Sequence, residues 1–148
     1  MYLLSILTVI VVMGLMVFLS QASIVFFLDI PSLLFLVVLL IPILISAGVL
    51  KDFNNAFRIV MEKDSKATIA QINRSITAVE LAGKTLLAGS GFIAICALII
   101  MLFKLDSPEQ LGPNLAVAML TLLYGLIGNL LLLPLKAKLT TRKIGMME

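Results

Sequence analysis

Long stretches without a charged residue dominate this chain of 148 residues. Residues 1–28 carry no charge, Asp29 stands alone, and residues 30–50, 92–103 and 111–135 are again uncharged. A bilayer core of about 30 Å is crossed by about 20 helical residues, and a charge at its centre costs about 2.5–3.5 kcal/mol. The pattern predicts four membrane-spanning helices, at residues 2–20, 31–50, 84–103 and 113–135.

The composition excludes most catalytic chemistry. Hydrophobic residues make up 61% of the chain and charged residues 13%, whereas about 25% of an average soluble domain is charged. With no His and one Cys, the chain lacks an imidazole for a catalytic relay or a metal site, and a cysteine pair for a disulfide. We expect one all-α integral membrane domain over residues 1–148, without enzymatic activity or a cofactor. A net charge of +3 without a basic stripe gives no reason to expect nucleic-acid binding.

The Lys and Arg residues lie mostly on one side of the predicted spans. Residues 51–84 hold six of them and residues 136–148 hold four, while the other side has only Lys104. Positively charged loops stay in the cytoplasm. The distribution predicts a cytoplasmic loop at 51–83, a cytoplasmic tail at 136–148 and both termini in the cytoplasm. The first apolar run lacks the basic start of a signal peptide, so we expect it to remain as a span.

The predicted cytoplasmic loop has helical patterns of its own. Apolar residues recur there at helical spacing, at Ile69, Ile72, Ile76 and Val79. They predict a short amphipathic helix that continues directly into the third span. A second helix is predicted between residues 51 and 63, with one apolar side formed by Phe53, Phe57 and Val60.

Proline and capping residues mark the ends of the second and fourth spans. Asp29, followed by Pro31 and Ser32, predicts an N-terminal cap for span two, with proline in the first turn. Pro42 lies inside that span and is expected to kink it. Pro113 marks the start of span four in the same way.

Leu, Ile, Val and Phe dominate spans one and two, while spans three and four carry more of the small and polar residues. Small residues let helices approach closely, so we expect oligomerisation through these two spans. Asn114, Thr121 and Gly128 are seven residues apart and share a face of span four. Such a face either makes hydrogen bonds between helices inside a bundle, or lines an ion path or contacts a partner helix.

Five segments share their residues and order with a known family. Residues 111–125 read LGPNLAVAMLTLLYG and are the most specific. The others are residues 29–34 (DIPSLL), 51–57 (KDFNNAF), 101–108 (MLFKLDSP) and 133–139 (LPLKAKL). Together they resemble flagellar stator members of the MotA/TolQ/ExbB proton channel family. Most of the cytoplasmic domain of those proteins has no counterpart in residues 51–83.

The resemblance implies a homo-pentameric ring around two copies of a single-span MotB-like partner, in the bacterial cytoplasmic (inner) membrane. Ion flow would drive the ring, and the partner would supply the Asp that binds the ion. A carboxylate supplied by the partner is consistent with the predicted spans of this chain, which hold no acidic residue. The resemblance places Thr121 on the ion path, Tyr124 and Gly125 at the inner wall of the ring, Pro113 at the outer end and Pro134 at the inner gate.

Some pathway positions of the family are apolar in this chain. Leu122 replaces a second Thr of the family. In span three, Leu87 aligns with a proline position, and Ile93 and Ala94 align with a glycine–threonine pair. The candidate residues for the ion path or partner contact are Asn114, Thr121, Tyr124, Gly125, Gly128, Ala94 and Leu87. Two functions stay open: an A-type subunit of an ion-driven motor or proton channel, or a non-conducting ring scaffold or regulator that anchors a membrane partner. The scarcity of polar oxygens in the spans favours H⁺ over Na⁺ as the ion.

Overall fold

The computed structural model describes residues 2–21, 24–62, 67–104 and 108–147. Their secondary structure is helical, with two short 3-10 turns and, within those ranges, no strand. The five α-helices are α1 (Tyr2–Ser20), α2 (Ile30–Ser46), α3 (Leu50–Met61), α4 (Ile69–Phe103) and α5 (Leu111–Ile144). The all-helical fold predicted from the sequence is confirmed.

A side-chain cap starts α2. The Asp29 carboxylate accepts hydrogen bonds from the Ser32 amide, at 3.3 Å, and from the Ser32 hydroxyl. Pro31 occupies the first turn, where its missing N–H would have had no partner within the helix. This confirms the predicted cap, which satisfies a backbone donor that would otherwise face an apolar environment.

The second helix ends earlier than predicted. It was expected to reach residue 50, whereas α2 ends at Ser46 and α3 leaves it at an angle of 102°. Gly48 lies between them with a φ of 67°, a left-handed conformation in which glycine meets no steric penalty. Pro42, the expected kink, lies inside α2, which continues to Ser46. The turn at Gly48 brings α3 against α4 and α5.

α4 joins the predicted amphipathic helix to the third span without a break, over 35 residues. It begins with a capping box, in which Thr68 Oγ1 accepts from the Gln71 amide at 3.3 Å and Gln71 Oε1 accepts from the Thr68 amide at 3.1 Å. Ile72 and Val79 are buried, as their spacing predicted. The continuity predicted for this helix is confirmed.

α5 is longer than the predicted fourth span. It runs from Leu111 to Ile144, so residues predicted as the start of a cytoplasmic tail are helical. Pro134 lies inside the helix without ending it. α4 and α5 pack against each other more extensively than any other two helices, and this pair forms the frame for the rest of the chain.

The main core lies where α3, the first turns of α4 and the last turns of α5 meet. Its buried residues are Leu44, Ala56, Ile59, Val60, Ile72, Val79, Ala82, Leu132, Leu135 and Leu139. Phe53 and Phe57 pack against it edge to face, with ring centroids 5.3 Å apart. The apolar side predicted for the helix in 51–63 is therefore confirmed.

Exposed apolar side chains cover much of α1 and α2, which suits contact with lipid. Within the described residues, α4 and α5 are long and apolar enough to cross a membrane. α2 and α3 form a third candidate if the bent pair counts as one broken span, and α1 contains a shorter apolar helix. The chain is a multi-pass membrane protein whose clearest spans are α4 and α5.

Candidate functional site

A chain of three hydrogen-bonded side chains joins α5 to the start of α2. The Thr121 hydroxyl donates to Ser32 Oγ at 2.7 Å, and the Ser32 hydroxyl donates to the Asp29 carboxylate. Thr121 and Ser32 are 1% and 5% exposed, whereas Asp29 is only partly buried. We call this set the hydroxyl chain. It leads from the lysine-poor end of the spans, which lies near Asp29 and Lys104, into the interior between two helices.

Tyr124 fixes the same region through its phenolic oxygen. The Tyr124 hydroxyl donates to the Phe27 carbonyl at 2.6 Å and accepts from the Asp29 amide at 2.6 Å. Both partners belong to the segment that precedes α2, some 95 residues away in the sequence. One side chain of α5 therefore holds the backbone beside the Asp29 cap in place.

Two glycines allow α4 and α5 to approach closely below the hydroxyl chain. A Cβ atom at Gly125 would lie 2.6 Å from the Leu86 carbonyl oxygen and would overlap the Ser90 side chain. At Gly128 it would lie 2.8 Å from Leu86 Cδ1. Contacts this short are not found for real Cβ atoms, so the spacing of the two helices depends on glycine at residue 125 above all.

The residues predicted for an ion path lie in several different places. Thr121 and Tyr124 face the start of α2, while Gly125 and Gly128 face α4. Ala94 is buried and Pro134 is partly buried. The three exposed residues are Leu87, Pro113 and Asn114. The structure does not bring Asn114 and Thr121 onto one accessible surface, despite their spacing. Thr121 is covered by α2, whereas Asn114 lies in the first turn of α5, where its side chain stays exposed.

Sequence reasoning did not identify Ser32 as a functional partner. It used Asp29 and Ser32 only as a helix cap, and the structure adds that Ser32 also receives the Thr121 hydrogen bond. The available signal was a hydroxyl residue two positions after the start of an otherwise apolar helix. Such a residue needs a hydrogen-bond partner within the membrane.

Hydroxyl and amide groups supply the polar chemistry of the spans. No group of three or more His, Cys, Asp or Glu side chains that could hold a metal ion occurs among the residues that the structure describes. Hydroxyls such as those of Thr121 and Ser32 both donate and accept, so they can pass a proton along hydrogen bonds. They carry no charge and cannot by themselves neutralise a cation.

A charged triad marks the lysine-rich end of the spans, opposite the hydroxyl chain. Glu80 Oε1 lies 3.0 Å from Lys84 Nζ, and Glu80 Oε2 lies 3.0 Å from Lys136 Nζ. Glu80 precedes the apolar part of α4. Hydrogen bonds from Lys84 and then from Lys136 hold the pKa of the Glu80 carboxyl below its usual value. The triad therefore links α4 to α5 at neutral pH.

Two cations of α5 cap the end of α3. Arg142 donates to the carbonyl oxygens of Ile59, at 2.6 Å, and Glu62, at 3.3 Å. Lys138 donates to the Val60 carbonyl at 3.3 Å. The last carbonyls of a helix lack partners within it and carry partial negative charge, so cations stabilise them. This contact fixes α3 to the end of the spans nearest the triad.

Three curated relatives align with part of the chain. The uncharacterized protein YtxD of Bacillus subtilis (strain 168) is 36% identical over 83 residues, which is 55% of this chain and 30% of that protein. Motility protein A of Treponema phagedenis is 40% identical over 86 residues, 57% of this chain and 33% of that protein. Chemotaxis protein PomA of Vibrio alginolyticus is 40% identical over 50 residues, 33% of this chain and 20% of that protein.

The aligned parts cover a third or less of each relative. No family model matches the chain, and no solved structure matches it. The resemblance found in the sequence segments is thus supported in a coarser form. The alignments with motility protein A, over 57% of this chain, and with PomA, over 33% of it, support a MotA-like relationship.

Proposed function

We propose that this chain is the A-type subunit of an ion-driven membrane motor or proton channel. In this proposal it forms a homo-pentameric ring around a single-span MotB-like partner in the bacterial cytoplasmic membrane. The observation that carries the proposal is the hydroxyl chain of Thr121, Ser32 and Asp29, whose two hydroxyl residues are buried among apolar helices. Thr121 is also the residue that the family resemblance places on the ion path.

The chemistry of the hydroxyl chain explains why a partner is needed. Polar groups inside a membrane are costly and commonly belong to ion pathways. The hydroxyls can relay a proton, and the one carboxylate in the hydroxyl chain, that of Asp29, lies before the start of α2. Farther into the spans, α1, α2, α5 and the part of α4 from residue 85 onward contain no carboxylate. A partner helix with an Asp would complete the site. Two hydroxyl oxygens are a poor ligand set for Na⁺, so H⁺ is the proposed ion.

The proposed topology has four spans and both termini in the cytoplasm. α1 and α2 contain 19 and 17 residues, so at 1.5 Å per residue they extend about 28 Å and about 26 Å, close to the thickness of the bilayer core of about 30 Å. α4 and α5 are longer and continue past the triad. The excess of Lys and Arg on that side supports its placement in the cytoplasm.

Proton flux with and without the partner tests the proposal. Vesicles containing this chain together with a MotB-like protein should acidify in response to a pH gradient, whereas vesicles with either protein alone should not. We expect Thr121→Val to lower the flux at least tenfold and Thr121→Ser to retain it. Thr8→Val is the matched control, since the Thr8 hydroxyl donates to the Leu4 carbonyl of its own helix, at 2.8 Å, and the side chain is exposed. Flux that is independent of the partner, or unchanged by Thr121→Val, refutes the proposal.

The second candidate function is a non-conducting ring that anchors or regulates a membrane partner. The exposed apolar side chains of Leu87 and Leu122, each 39% exposed, favour it, because a pore lined by such residues would be too dry for ions. In the same vesicles, this alternative predicts that the chain and its partner co-purify while no partner-dependent flux occurs.

A further inference from the structure

The charged triad has an excess of positive charge at the end of the spans. Glu80 contributes one negative charge, and Lys84 and Lys136 contribute two positive charges. Each ammonium has three N–H donors, of which Glu80 engages one in each lysine. The Lys84 side chain is 75% exposed and that of Lys136 is 39% exposed. Both lysines therefore have donors available for an additional anion.

Apolar grooves open on both sides of Lys84. One lies between α4 and α5, has a volume of about 170 Å³ and is lined by Gly83, Leu87, Leu132 and Leu133 beside Lys84 and Lys136. The other lies between α2 and α4, has a volume of about 390 Å³ and is lined by Leu39, Ile43, Lys84, Thr85, Ala88, Gly89 and Phe92. Lys84 belongs to both grooves.

The grooves lie on the membrane side of the two lysines. Leu87, Ala88 and Phe92 follow Lys84 into the apolar part of α4. Lys136 directly follows the uncharged stretch that ends at residue 135. A positive charge at the membrane boundary thus lies next to apolar grooves that lead towards the bilayer core. A phospholipid has the complementary arrangement, with a phosphate at the boundary and acyl chains directed into the core.

We propose that these grooves hold one anionic phospholipid, with its phosphate on Lys84 and Lys136 and its acyl chains in the two grooves. Basic pockets between membrane helices on the cytoplasmic side bind such headgroups. Lysine stems lie along apolar surface while their ammonium groups reach the interface. An anionic lipid is favoured over a zwitterionic one, because the cationic group of the latter would be repelled by the excess positive charge of the triad. This proposal does not depend on ion conduction.

Lipid binding by the purified full chain tests the proposal. Native mass spectrometry should show phosphatidylglycerol retained more strongly than phosphatidylcholine. We expect Lys84→Gln to weaken phosphatidylglycerol binding about tenfold and to reduce the preference between the two lipids. Lys51→Gln is the matched control: it removes the same charge from an exposed residue in the first turn of α3, and it should leave the binding unchanged.

A groove variant tests the placement of the acyl chains. Ala88→Phe fills the groove between α2 and α4 and should weaken phosphatidylglycerol binding while every charge of the triad stays in place. Inorganic phosphate, which has no acyl chain, should not compete at concentrations that match the lipid. Equal binding of both lipids, equal losses in Lys84→Gln and Lys51→Gln, or full competition by phosphate would each overturn the proposal.

A second copy of the chain is the competing occupant of the groove between α4 and α5. A Leu133→Cys variant, in a Cys96→Ala background, distinguishes a bound lipid from a second copy in this groove. A disulfide between copies that forms efficiently in membranes overturns the lipid assignment, while its absence together with selective lipid binding supports it. Loss of proton flux has no bearing on this result, so failure of the proposed motor function and failure of the lipid site can be told apart.

Discussion

Thr121 on α5 donates a 2.7 Å hydrogen bond to Ser32 on α2, and both side chains are buried. The two residues are 89 positions apart in the sequence. Their bond therefore sets the position of α2 against the first third of α5, and through Ser32 it reaches the Asp29 cap. The same hydroxyls that form the proposed proton path also determine how two spans pack.

A double-mutant cycle should detect the coupling between Thr121 and Ser32. Hydrogen bonds between membrane helices contribute about 0.6 kcal/mol on average, so Thr121→Val and Ser32→Ala should be non-additive by about that amount in the free energy of unfolding. Reversible unfolding in mixed micelles provides the measurement. Thr8→Val combined with Ser32→Ala should be additive, because Thr8 bonds within α1. Additivity for the Thr121 pair would contradict the buried bond.

Gly125→Ala should destabilise the pairing of α4 and α5. The added Cβ would lie 2.6 Å from the Leu86 carbonyl and overlap Ser90, and overpacking of this kind costs about 1–3 kcal/mol. Gly91→Ala, on α4, is the matched control, since a Cβ there has no atom within 4 Å. Thermal unfolding followed by circular dichroism should show a lower midpoint for the first variant only. An unchanged midpoint for Gly125→Ala would mean that the helices are farther apart.

Tyr124→Phe should loosen the segment that precedes α2. The substitution removes the acceptor of the Asp29 amide and the donor to the Phe27 carbonyl while it keeps the ring. Hydrogen exchange at the Asp29 amide should accelerate at least several-fold. The Leu28 amide, which donates to the Val25 carbonyl at 3.1 Å, serves as an internal reference and should change less. Equal acceleration at both amides would indicate general unfolding of the segment.

The sequence predicted local features of the fold better than its long-range contacts. The Asp29 cap and the continuous helix from Ile69 onward depend on signals that lie within a few residues. The turn after Ser46 was missed, because a glycine in an apolar run does not show which φ value it will adopt. That α2 covers Thr121 and leaves Asn114 exposed could not be predicted either, because helical spacing defines a face and does not show how far a neighbouring helix covers it.

Only part of the candidate site could be predicted from the sequence, because its contacts join residues that are far apart in the chain. Thr121 and Tyr124 are the residues that bond to the start of α2, yet nothing near them in the sequence identifies Ser32 or Phe27 as partners. Those contacts depend on the parallel packing of α2 and α5, whose first turns lie at the same end of the spans. Leu87 lies near the triad instead, where it lines the groove proposed to hold an acyl chain.

The stability contributed by Glu80 should depend on pH. Its pKa is lower in the folded chain than the ordinary value of about 4.5, because Lys84 and Lys136 favour the ionised form. Its contribution is therefore present above about pH 4.5 and is lost as the pH falls through the lower folded pKa. Glu80→Gln should lower the unfolding midpoint at pH 7 and have less effect near pH 4. A constant effect of Glu80→Gln over this pH range would contradict the ion pairs.

Arg142→Gln should fray the end of α3. The Arg142 guanidinium donates to the Ile59 and Glu62 carbonyls, and a cation at a helix C-terminus contributes about 0.3–1 kcal/mol, and up to about 2 kcal/mol in partly buried geometry. Hydrogen exchange at the Glu62 amide, which bonds to the Arg58 carbonyl at 2.9 Å, should accelerate. Arg142→Lys should restore part of the protection because it keeps the charge and loses the fork of donors. If Arg142→Gln left this exchange unchanged, packing of α3 against α4 and α5 would be sufficient to stabilise its end without the hydrogen bonds from Arg142.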